Sequence, residues 1–428
     1  MNAATGPRRI VRESALRTPG SSTCTCTGAK RVELKAPLRA PATGSKPLRI
    51  AVIAHALHAG GGISVGKNLV AALGRVGPEH HYFFTVPAQR GYEDLCRQAP
   101  NSETVVFANG FGLAKRWTFD TFRLPRLLRE FHPDVILGMG NIGVPGVRCP
   151  QAIHCLHPYL FYPPSHFGNL PAGGRLLVAY LRRRFRRDLR AADLLLCQTE
   201  VARRRIRETT GYRGPCLLVP YADSEFVPGV PEDVDTPAPL RPYASAVKLF
   251  CLTRYYTHKN LEAIVETFDR YREQLHDVVV VLTISPDQGP RAAALLRKIE
   301  QRGLSRNLVN VGPLDQSELA AYYGCCRGLL LPTLLESFSA TYLEAMRFGV
   351  PILTSDLDFA RGVCGDAALY FDPRDPGCIR DAILQIKRDR GLAEKLVGNG
   401  KKRLDSISRS WDETAADVVI ALQNLVVR

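Results

Sequence analysis

Two glutamates separated by seven residues mark the most informative segment of the sequence. In "PTLLESFSATYLEAM", which begins at Pro332, Glu336 lies in a loop and Glu344 lies in the opening turns of a helix predicted to begin near Ser339 or Ala340. The N-terminus of such a helix offers free backbone N–H groups and a partial positive charge, both of which favour a phosphate. The carboxylates are therefore suited to hold sugar or ribose hydroxyls beside that phosphate. Taken alone, Glu344 is better explained as a solvated residue of a first helical turn and Glu336 as a polar loop residue.

A pair of cations follows another apolar run. Arg254 and Lys259 lie in "LTRYYTHKNL", and Asn260 opens the next helix. A guanidinium that makes two parallel hydrogen bonds and an ammonium that acts as a point charge together suit a diphosphate. Either cation alone is explained about as well by an exposed basic loop, whereas the two together at the carboxyl end of a strand favour phosphate binding.

A glycine-rich turn raises a second nucleotide-binding hypothesis. In "HAGGGISVGKN", which begins at His58, the spacing of Gly61, Gly66 and Lys67 matches a P-loop. Asn68, however, stands where a P-loop has the Ser or Thr that binds Mg²⁺. Lys67 is also expected inside the helix, which should begin at about residue 63, rather than at its start. We interpret the match as accidental and keep a P-loop-like ATP-binding protein as an alternative.

Short apolar runs that alternate with helical segments must position these residues. The first half contains "LRIAVIAH", "DVILGMG", "QAIHCL", "DLLLCQ" and "CLLVP", and the second half contains "KLFCLT", "DVVVVLTI", "NLVNVG", "GLLLP", "VPILTS" and "ALYFD". Nearly continuous apolar strands are typical of parallel sheets that are covered on both faces. The predicted fold class is therefore α/β, with two doubly wound Rossmann-like domains that face each other across a ligand-binding cleft.

Changes in composition predict the domain boundaries in this 428-residue chain. Residues 1–47 contain nine Lys or Arg against two acidic residues and are predicted to be a disordered basic leader, with a transit peptide as the alternative. Residues 48–222 form the N-terminal domain, 223–247 a Pro-rich linker, and 248–409 the C-terminal domain. Residues 410–428 form a C-terminal helix that could pack back across the domain junction.

The net charge of +16 narrows the class of partner. Such a charge favours nucleic acid, an acidic membrane surface or phosphorylated substrates. A basic nucleic-acid-binding protein is therefore a second alternative, although no recognition helix or aromatic-rich sheet motif supports it. The twelve cysteines lack zinc-type spacing, and no run approaches the roughly 18 apolar residues of a membrane span. We therefore predict a cytoplasmic protein.

Two basic segments could contact an anionic surface. Seven arginines and one aspartate lie between Arg175 and Arg190, and "KRWTFDTFRLPRLLRE" begins at Lys115. The first segment is predicted to be a helix with one apolar stripe, formed by Leu177, Leu181, Phe185 and Leu189. Such faces suit an anionic bilayer or a phosphorylated lipid acceptor, through Arg182–Arg190. A helix docked on its own sheet, with a solvated arginine face, is the alternative.

In the segments that carry Arg254, Lys259, Glu336 and Glu344, the chain resembles the family 4 retaining glycosyltransferases, which depend on nucleotide sugars and have the GT-B fold. The resemblance covers about residues 49–411 and is strongest in "RYYTHKN", "PTLLESFSATYLEAMRFGVPILTSD" and "VCGDAALYFDP". It implies transfer of a sugar from a nucleoside-diphosphate sugar to an acceptor hydroxyl, with retention of anomeric configuration, in glycan, glycolipid or polysaccharide synthesis. The N-terminal domain would bind the acceptor and the C-terminal domain the donor.

The resemblance also implies roles for the residues of the C-terminal domain. Arg254 and Lys259 would grip the donor diphosphate, Glu336 would lie near the hydroxyls of the transferred sugar, and Glu344 would hold the ribose. Phe338 and Ser339 would lie in the turn whose backbone amides approach donor oxygens. The family often has Gly at the positions of Ser337 and Ser339, so this sequence departs from the pattern there.

In the N-terminal domain, the resemblance implies that the turn at Gly60, Gly61 and Gly62 approaches the donor phosphate and the acceptor. His157 would lie near the reacting sugar, where its imidazole could bond a hydroxyl. His154, within the same predicted strand, is interpreted as a buried structural residue.

No metal or other cofactor is expected. Two Asp-x-Asp triplets, Asp233/Asp235 and Asp356/Asp358, are interpreted as chance occurrences. Cations and a helix terminus can neutralise a leaving diphosphate without Mg²⁺. The expected partners are a nucleotide-sugar donor, a glycan or lipid-linked acceptor and an anionic membrane surface on the cytoplasmic side, without nucleic acid.

Overall fold

A computed structural model describes residues 46–108, 113–220 and 235–427 of the chain. Nearly all of the predicted leader, 1–47, and much of the predicted linker, 223–247, lie outside the described residues. Within the described part, strands and helices alternate along almost the whole chain. They form one seven-stranded and one six-stranded parallel sheet.

The first sheet has the strand order β3-β2-β1-β4-β5-β6-β7. Its strands are β1 (Arg49–Ile53), β2 (His81–Pro87), β3 (Ser102–Phe107), β4 (Val135–Met139), β5 (Gln151–Cys155), β6 (Leu194–Cys197) and β7 (Cys216–Leu218). Its helices are α1 (Gly61–Val76), α2 (Glu93–Arg97), α3 (Leu113–Thr118), α4 (Leu124–Phe131), α5 (Ala172–Asp188) and α6 (Glu200–Thr210). A π-helical turn, Phe119–Arg123, joins α3 to α4.

The second sheet has the strand order β10-β9-β8-β11-β12-β13. Its strands are β8 (Val247–Cys251), β9 (Val278–Leu282), β10 (Leu308–Asn310), β11 (Gly328–Leu331), β12 (Ile352–Ser355) and β13 (Ala368–Phe371). The helices that follow are α7 (Leu261–Arg270), α8 (Pro290–Gln301), α9 (Leu319–Cys325), α10 (Ala340–Arg347), α11 (Asp358–Cys364), α12 (Pro376–Arg388), α13 (Arg390–Ile407) and α14 (Trp411–Val426).

The central strands are buried along almost their whole length because helices cover both faces of each sheet. Every residue of β4, β5, β6, β9, β11 and β12 is buried. The strand order reverses between β1 and β4 in the first sheet and between β8 and β11 in the second, which opens a crevice at the carboxyl ends of those strands. The predicted α/β class, with two doubly wound Rossmann-like sheets, is confirmed.

The C-terminal helix α14 packs on the N-terminal sheet. Ser410 and Glu413 form a capping box that starts the helix. Its apolar side buries Trp411 and Leu422, and the helix lies against α1 and β4. An ion pair of 2.6 Å joins Arg75 of α1 to Asp412. The last helix in the sequence therefore covers the first sheet and ties the two halves of the chain together.

Candidate functional site

The loop that follows β8 carries both residues that are predicted to bind the diphosphate, Arg254 and Lys259. It runs from β8 through a 3₁₀ turn, Thr257–Lys259, to α7. The side chain of Arg254 is exposed, whereas that of Lys259 is partly buried and forms an ion pair with Glu336. The structure therefore brings Lys259, a residue predicted to bind the diphosphate, into contact with Glu336, a residue of a different loop that is predicted to bind the sugar.

Asn260 explains why these loops lie together. Its backbone has a φ of 56°, in the left-handed region that Asn tolerates better than most residues. Its side-chain nitrogen donates to the carbonyl of Pro332 at 3.2 Å and to that of Pro373 at 2.7 Å. One amide thus joins the loops that follow β8, β11 and β13. The sequence predicts Asn260 only as a helix start, and an Asn directly before a helix is the one local signal for this role.

The loop after β11 buries Glu336 in the crevice, where the residue is 9% exposed. Two hydrogen bonds fix this loop. The backbone N–H of Leu334 donates to the carbonyl of His258 in the C-terminal domain at 2.7 Å, and the hydroxyl of Ser337 donates to the carbonyl of Leu156 in the N-terminal domain at 2.8 Å. The carboxylate therefore lies between the two sheets, with Lys259 as its cationic partner.

The two serines that depart from the family pattern fit their positions. Ser337 and Ser339 do not have positive φ angles, so the backbone does not require glycine at either place. The Ser337 side chain bonds the opposite domain, and Ser339 is the N-cap residue of α10 without a side-chain capping bond. Phe338, between them, is buried. Helix α10 begins at Ala340, as predicted, four residues after Glu336.

Glu344 lies farther along α10 and is anchored from α9. The hydroxyl of Tyr323 donates to Glu344 Oε2 at 3.2 Å. Burial of Tyr323, with the Glu344 charge beside it, raises the pKa of the tyrosine, which keeps its hydroxyl a donor. The carboxylate of Glu344 is therefore held in a fixed orientation on the second turn of the helix.

The predicted glycine turn meets the cationic loop across the crevice. Gly60 has φ 57° and ψ −151°, a conformation that essentially only glycine adopts. A Cβ atom built on Gly60 would lie 3.1 Å from the hydroxyl oxygen of Tyr256, which stands between Arg254 and Lys259. Gly61 and Gly62 begin helix α1, two residues before the predicted start. The glycine turn and the loop that carries Arg254 and Lys259 therefore line the same crevice.

The P-loop interpretation fails on geometry. Lys67 lies inside α1, near Gly91, and not at the helix start where a P-loop lysine stands. Gly66 is explained by packing, because a Cβ there would overlap the hydroxyl of Tyr92. That hydroxyl lies 3.1 Å from the carbonyl oxygens of Leu57 and Ile63, so it has little room to move.

We expect Gly66→Ala to lower the free energy of unfolding by about 1–2 kcal/mol. Overpacking against Tyr92 costs about 1–3 kcal/mol, and the better helix propensity of alanine offsets part of it. Urea unfolding followed by circular dichroism measures the effect. Gly61→Ala is the matched control, because its Cβ would meet no atom within 4 Å. Equal stability of the two variants would contradict this account.

His157 lies two residues after the end of β5, at an exposed position. Asn141 Oδ1 accepts its backbone N–H at 2.9 Å. Desolvation by the surrounding protein lowers the pKa of His157, and the charge of Arg116 lowers it further. The imidazole is therefore neutral near pH 7 and can donate or accept a hydrogen bond. His154 is 1% exposed within β5, where burial lowers its pKa to about 4.

A second contact across the crevice joins the loops of His157 and Lys259. The hydroxyl of Tyr159 lies 2.8 Å from His258 Nδ1, and both side chains are buried. Burial lowers the pKa of His258, and the neighbouring Lys259 charge acts in the same direction. This pair was not predicted, because nothing in either local sequence indicates that the two loops meet.

Arginines engage the Asp-x-Asp triplet in the C-terminal domain. Asp356 pairs with Arg361, whereas Asp358 accepts from Tyr162 at 3.1 Å and pairs with Arg205 at 2.8 Å and Arg204 at 3.2 Å. Asp358 thus fastens α6 of one domain to α11 of the other. Asp233 lies outside the described residues. In the part of the chain that the structure describes, no His, Cys, Asp and Glu side chains group as a metal site.

Residues 237–403 match the family of glycosyl transferases group 1. This region contains the loops of Arg254, Lys259, Glu336 and Glu344. It is similar to a group 1 glycosyltransferase domain. The match covers less than half of the chain and does not include the N-terminal sheet.

Two curated relatives are similar to part of this chain. The serotype-specific mannosyltransferase WbdA of Escherichia coli is 30% identical over 161 residues, which are 37% of this chain and 19% of that protein. The O-antigen chain mannosyltransferase B of Escherichia coli is 24% identical over 253 residues, which are 58% of this chain and 65% of that protein. The chain thus spans about a fifth of the length of the first relative.

Solved structures extend the similarity to both domains. Sucrose-phosphate synthase from Thermosynechococcus elongatus has a TM-score of 0.67 at 17% identity, covering 89% of this chain and 99% of that structure. HepE of Anabaena, in complex with UDP-glucose, has a TM-score of 0.64 at 14% identity and covers 88% of this chain and 100% of that structure. The chain therefore has the two-domain GT-B fold.

Proposed function

We propose that this protein is a glycosyltransferase that moves a sugar from a nucleoside-diphosphate sugar to an acceptor hydroxyl with retention of anomeric configuration. The observation that carries the proposal is the meeting of Lys259 and Glu336 between two GT-B domains, beside the N-terminus of α10 and opposite the glycine turn. A residue proposed to bind the diphosphate and a residue proposed to bind the sugar are thus in direct contact. The group 1 match and the relatives named as mannosyltransferases support the same activity.

In the proposed reaction, the positive charges of the site stabilise the leaving diphosphate. The bond between the anomeric carbon and the diphosphate breaks, and its electron pair leaves with the diphosphate, which Arg254, Lys259 and the α10 N-terminus stabilise. The acceptor oxygen forms the new bond on the same face, and its proton passes to the departing diphosphate. Glu336 holds the transferred sugar, Glu344 the ribose, and neutral His157 a sugar hydroxyl. The complex of HepE with UDP-glucose supports a nucleotide-sugar donor.

We further propose that the acceptor is a glycan or a lipid-linked glycan bound by the N-terminal domain. The names of the relatives, which refer to serotype and to the O-antigen chain, support a role in glycan synthesis. The protein would then work at the surface of a membrane.

A panel of UDP-, GDP- and ADP-sugars tests the proposed activity. We expect one of them to release its nucleoside diphosphate in the presence of a glycan acceptor, and proton NMR of the product to report the donor's anomeric configuration. Inverted configuration would refute retention alone. Absence of nucleotide release from every sugar nucleotide, with each acceptor tested, would refute the transferase.

We expect turnover to be insensitive to EDTA. The cations and the helix terminus supply the positive charge that a metal ion would otherwise provide to the leaving diphosphate. Initial rates of nucleotide release, measured with and without the chelator, should agree within error. Loss of activity in EDTA that added Mg²⁺ restores would contradict metal-independent transfer.

A further inference from the structure

Exposed apolar side chains gather on one surface of the N-terminal domain. Among the described residues, seven large hydrophobic side chains are exposed, and five of them lie on α3, the π-helical turn and α5. Leu176 is 73% exposed and Phe122 is 63% exposed. We define the α3–α5 surface by these apolar side chains and the exposed arginines beside them: Trp117, Phe122, Leu176, Leu177, Tyr180, Arg183, Arg186, Arg187 and Arg190.

The structure corrects the predicted faces of α5. The buried side contains Val178, Phe185 and Leu189, whereas Leu177, expected in the apolar stripe, faces solvent. Arg182 and Arg184, counted in the predicted anionic-surface segment, point inward. Arg182 Nε donates to the carbonyl of Tyr159 at 2.8 Å. The outward face of α5 is therefore both more apolar and less basic than the sequence predicted.

The α3–α5 surface contains a groove of about 560 Å³. Trp117 and Tyr180 line it, together with Arg183, Arg184, Arg186, Arg187 and Arg190. Five arginines and no carboxylate line the groove, and the four exposed ones, all but the inward-pointing Arg184, suit an anion. Asp188 neutralises part of this charge from below, because its Oδ1 pairs with Arg187 at 2.8 Å. The aromatic side chains of Trp117 and Tyr180 line the groove beside the remaining cations.

We propose that the α3–α5 surface docks on an anionic phospholipid bilayer, with a lipid phosphate in the arginine groove and the apolar side chains in the interface. Arginines attract the anionic headgroups, and aromatic and leucine side chains insert at the boundary with the acyl chains. A soluble polyanion would satisfy the arginines but would leave Leu176 and Phe122 in water. No helix in the described ranges is long and apolar enough to cross a bilayer.

The groove connects to the crevice through a buried charge network. Arg184 lines the groove, and its guanidinium lies 2.5 Å from Asp120 Oδ2. The other carboxylate oxygen of Asp120 lies 2.8 Å from His55 Nε2, directly after β1. Arg116 also approaches Asp120, at 3.5 Å, and its charge reaches His157. The arginine groove and the side chain of His55 at the end of β1 therefore share one carboxylate, that of Asp120.

Co-sedimentation of the full chain with vesicles tests the proposal. The vesicles contain phosphatidylcholine alone or phosphatidylcholine mixed with phosphatidylglycerol, and no donor is added. We expect binding to the mixed vesicles, and a decrease of roughly 25-fold in the partition coefficient for Arg186→Ala/Arg190→Ala, since one basic residue contributes about fivefold. The matched control is Arg297→Ala/Arg306→Ala, which removes the same charge from exposed positions of the C-terminal domain.

A second pair of variants tests the apolar contact. Phe122→Ser/Leu176→Ser should weaken vesicle binding at least tenfold, also at high salt, where surface charges are screened. Val427→Ser removes an exposed apolar side chain elsewhere and should leave binding unchanged.

Three results would overturn the proposal. They are equal binding by the surface variants and their controls, binding by charge variants that follows net charge alone, and binding of soluble polyphosphate or nucleic acid that competes fully with vesicles. Nucleotide release from sugar nucleotides, measured separately with a soluble acceptor, reports the proposed transfer. Vesicle binding can thus fail while transfer persists, and the reverse outcome is equally visible.

Discussion

Replacing Lys259 by alanine is expected to lower kcat for sugar transfer by about 10²–10³-fold. Loss of one preorganised group that stabilises charge in the transition state costs this much in enzymes where it has been removed. Lys259 is partly buried beside Glu336. In the proposed reaction its ammonium stabilises the negative charge that develops on the departing diphosphate. Steady-state release of the nucleoside diphosphate measures kcat and KM separately.

Lys259→Ala also leaves the carboxylate of Glu336 buried without this cation, which destabilises the fold. Thermal unfolding must therefore accompany the kinetics. Lys259→Arg keeps the charge and should retain more activity than alanine. Lys401→Ala, at an exposed position of α13, is the matched control for loss of one positive charge. Near-parental kcat in a folded Lys259→Ala protein would remove this residue from the proposed mechanism.

Replacing Glu336 by glutamine is expected to lower kcat/KM by about 10–100-fold. Hydrogen bonds to a charged group contribute about 1.5–3 kcal/mol, and an amide of the same shape accepts more weakly. The change also leaves Lys259 without its anionic partner at the position of the diphosphate. The loss should appear mainly in kcat, because Glu336 is proposed to hold the sugar at the reacting carbon.

Glu300→Gln provides the matched control for Glu336→Gln, because it makes the same substitution at an exposed position of α8. Circular dichroism and thermal unfolding establish that both variants are folded. If Glu336→Gln transferred sugar at the control rate, the carboxylate would have no part in the reaction, and its ion pair with Lys259 would be structural.

Local patterns predicted the secondary structure where burial is complete. Runs such as "VVVVL" and "GLLL" are apolar throughout because both faces of a central parallel strand are covered. Strands β2 and β3 were not predicted. The sequence of β3, "SETVVF", mixes polar and apolar residues because this strand lies at the sheet edge, where several of its side chains are exposed. An edge strand carries less of the pattern that burial imposes.

The roles of the predicted site residues stay predictions, and the structure adds contacts between their loops that the sequence did not indicate. Arg254, Lys259, Glu336 and Glu344 were selected because they follow buried strands or lie in the first turns of a helix, which are local features. The bonds that hold their loops together are long-range. Asn260 bonds a carbonyl 113 residues away. No local periodicity encodes such a pairing.

The sequence by itself determined two parallel sheets and the loops that carry the polar residues, since apolar periodicity follows directly from burial on each strand and helix. The tertiary structure decided which loops meet. Ser337 reaches Leu156 across 181 residues, and Arg182 and Arg184 turn inward on a helix whose pattern suggested outward cations. The physical reason is that a contact between distant loops depends on how the two sheets are oriented and twisted, and that orientation is a property of the packed core rather than of any one segment.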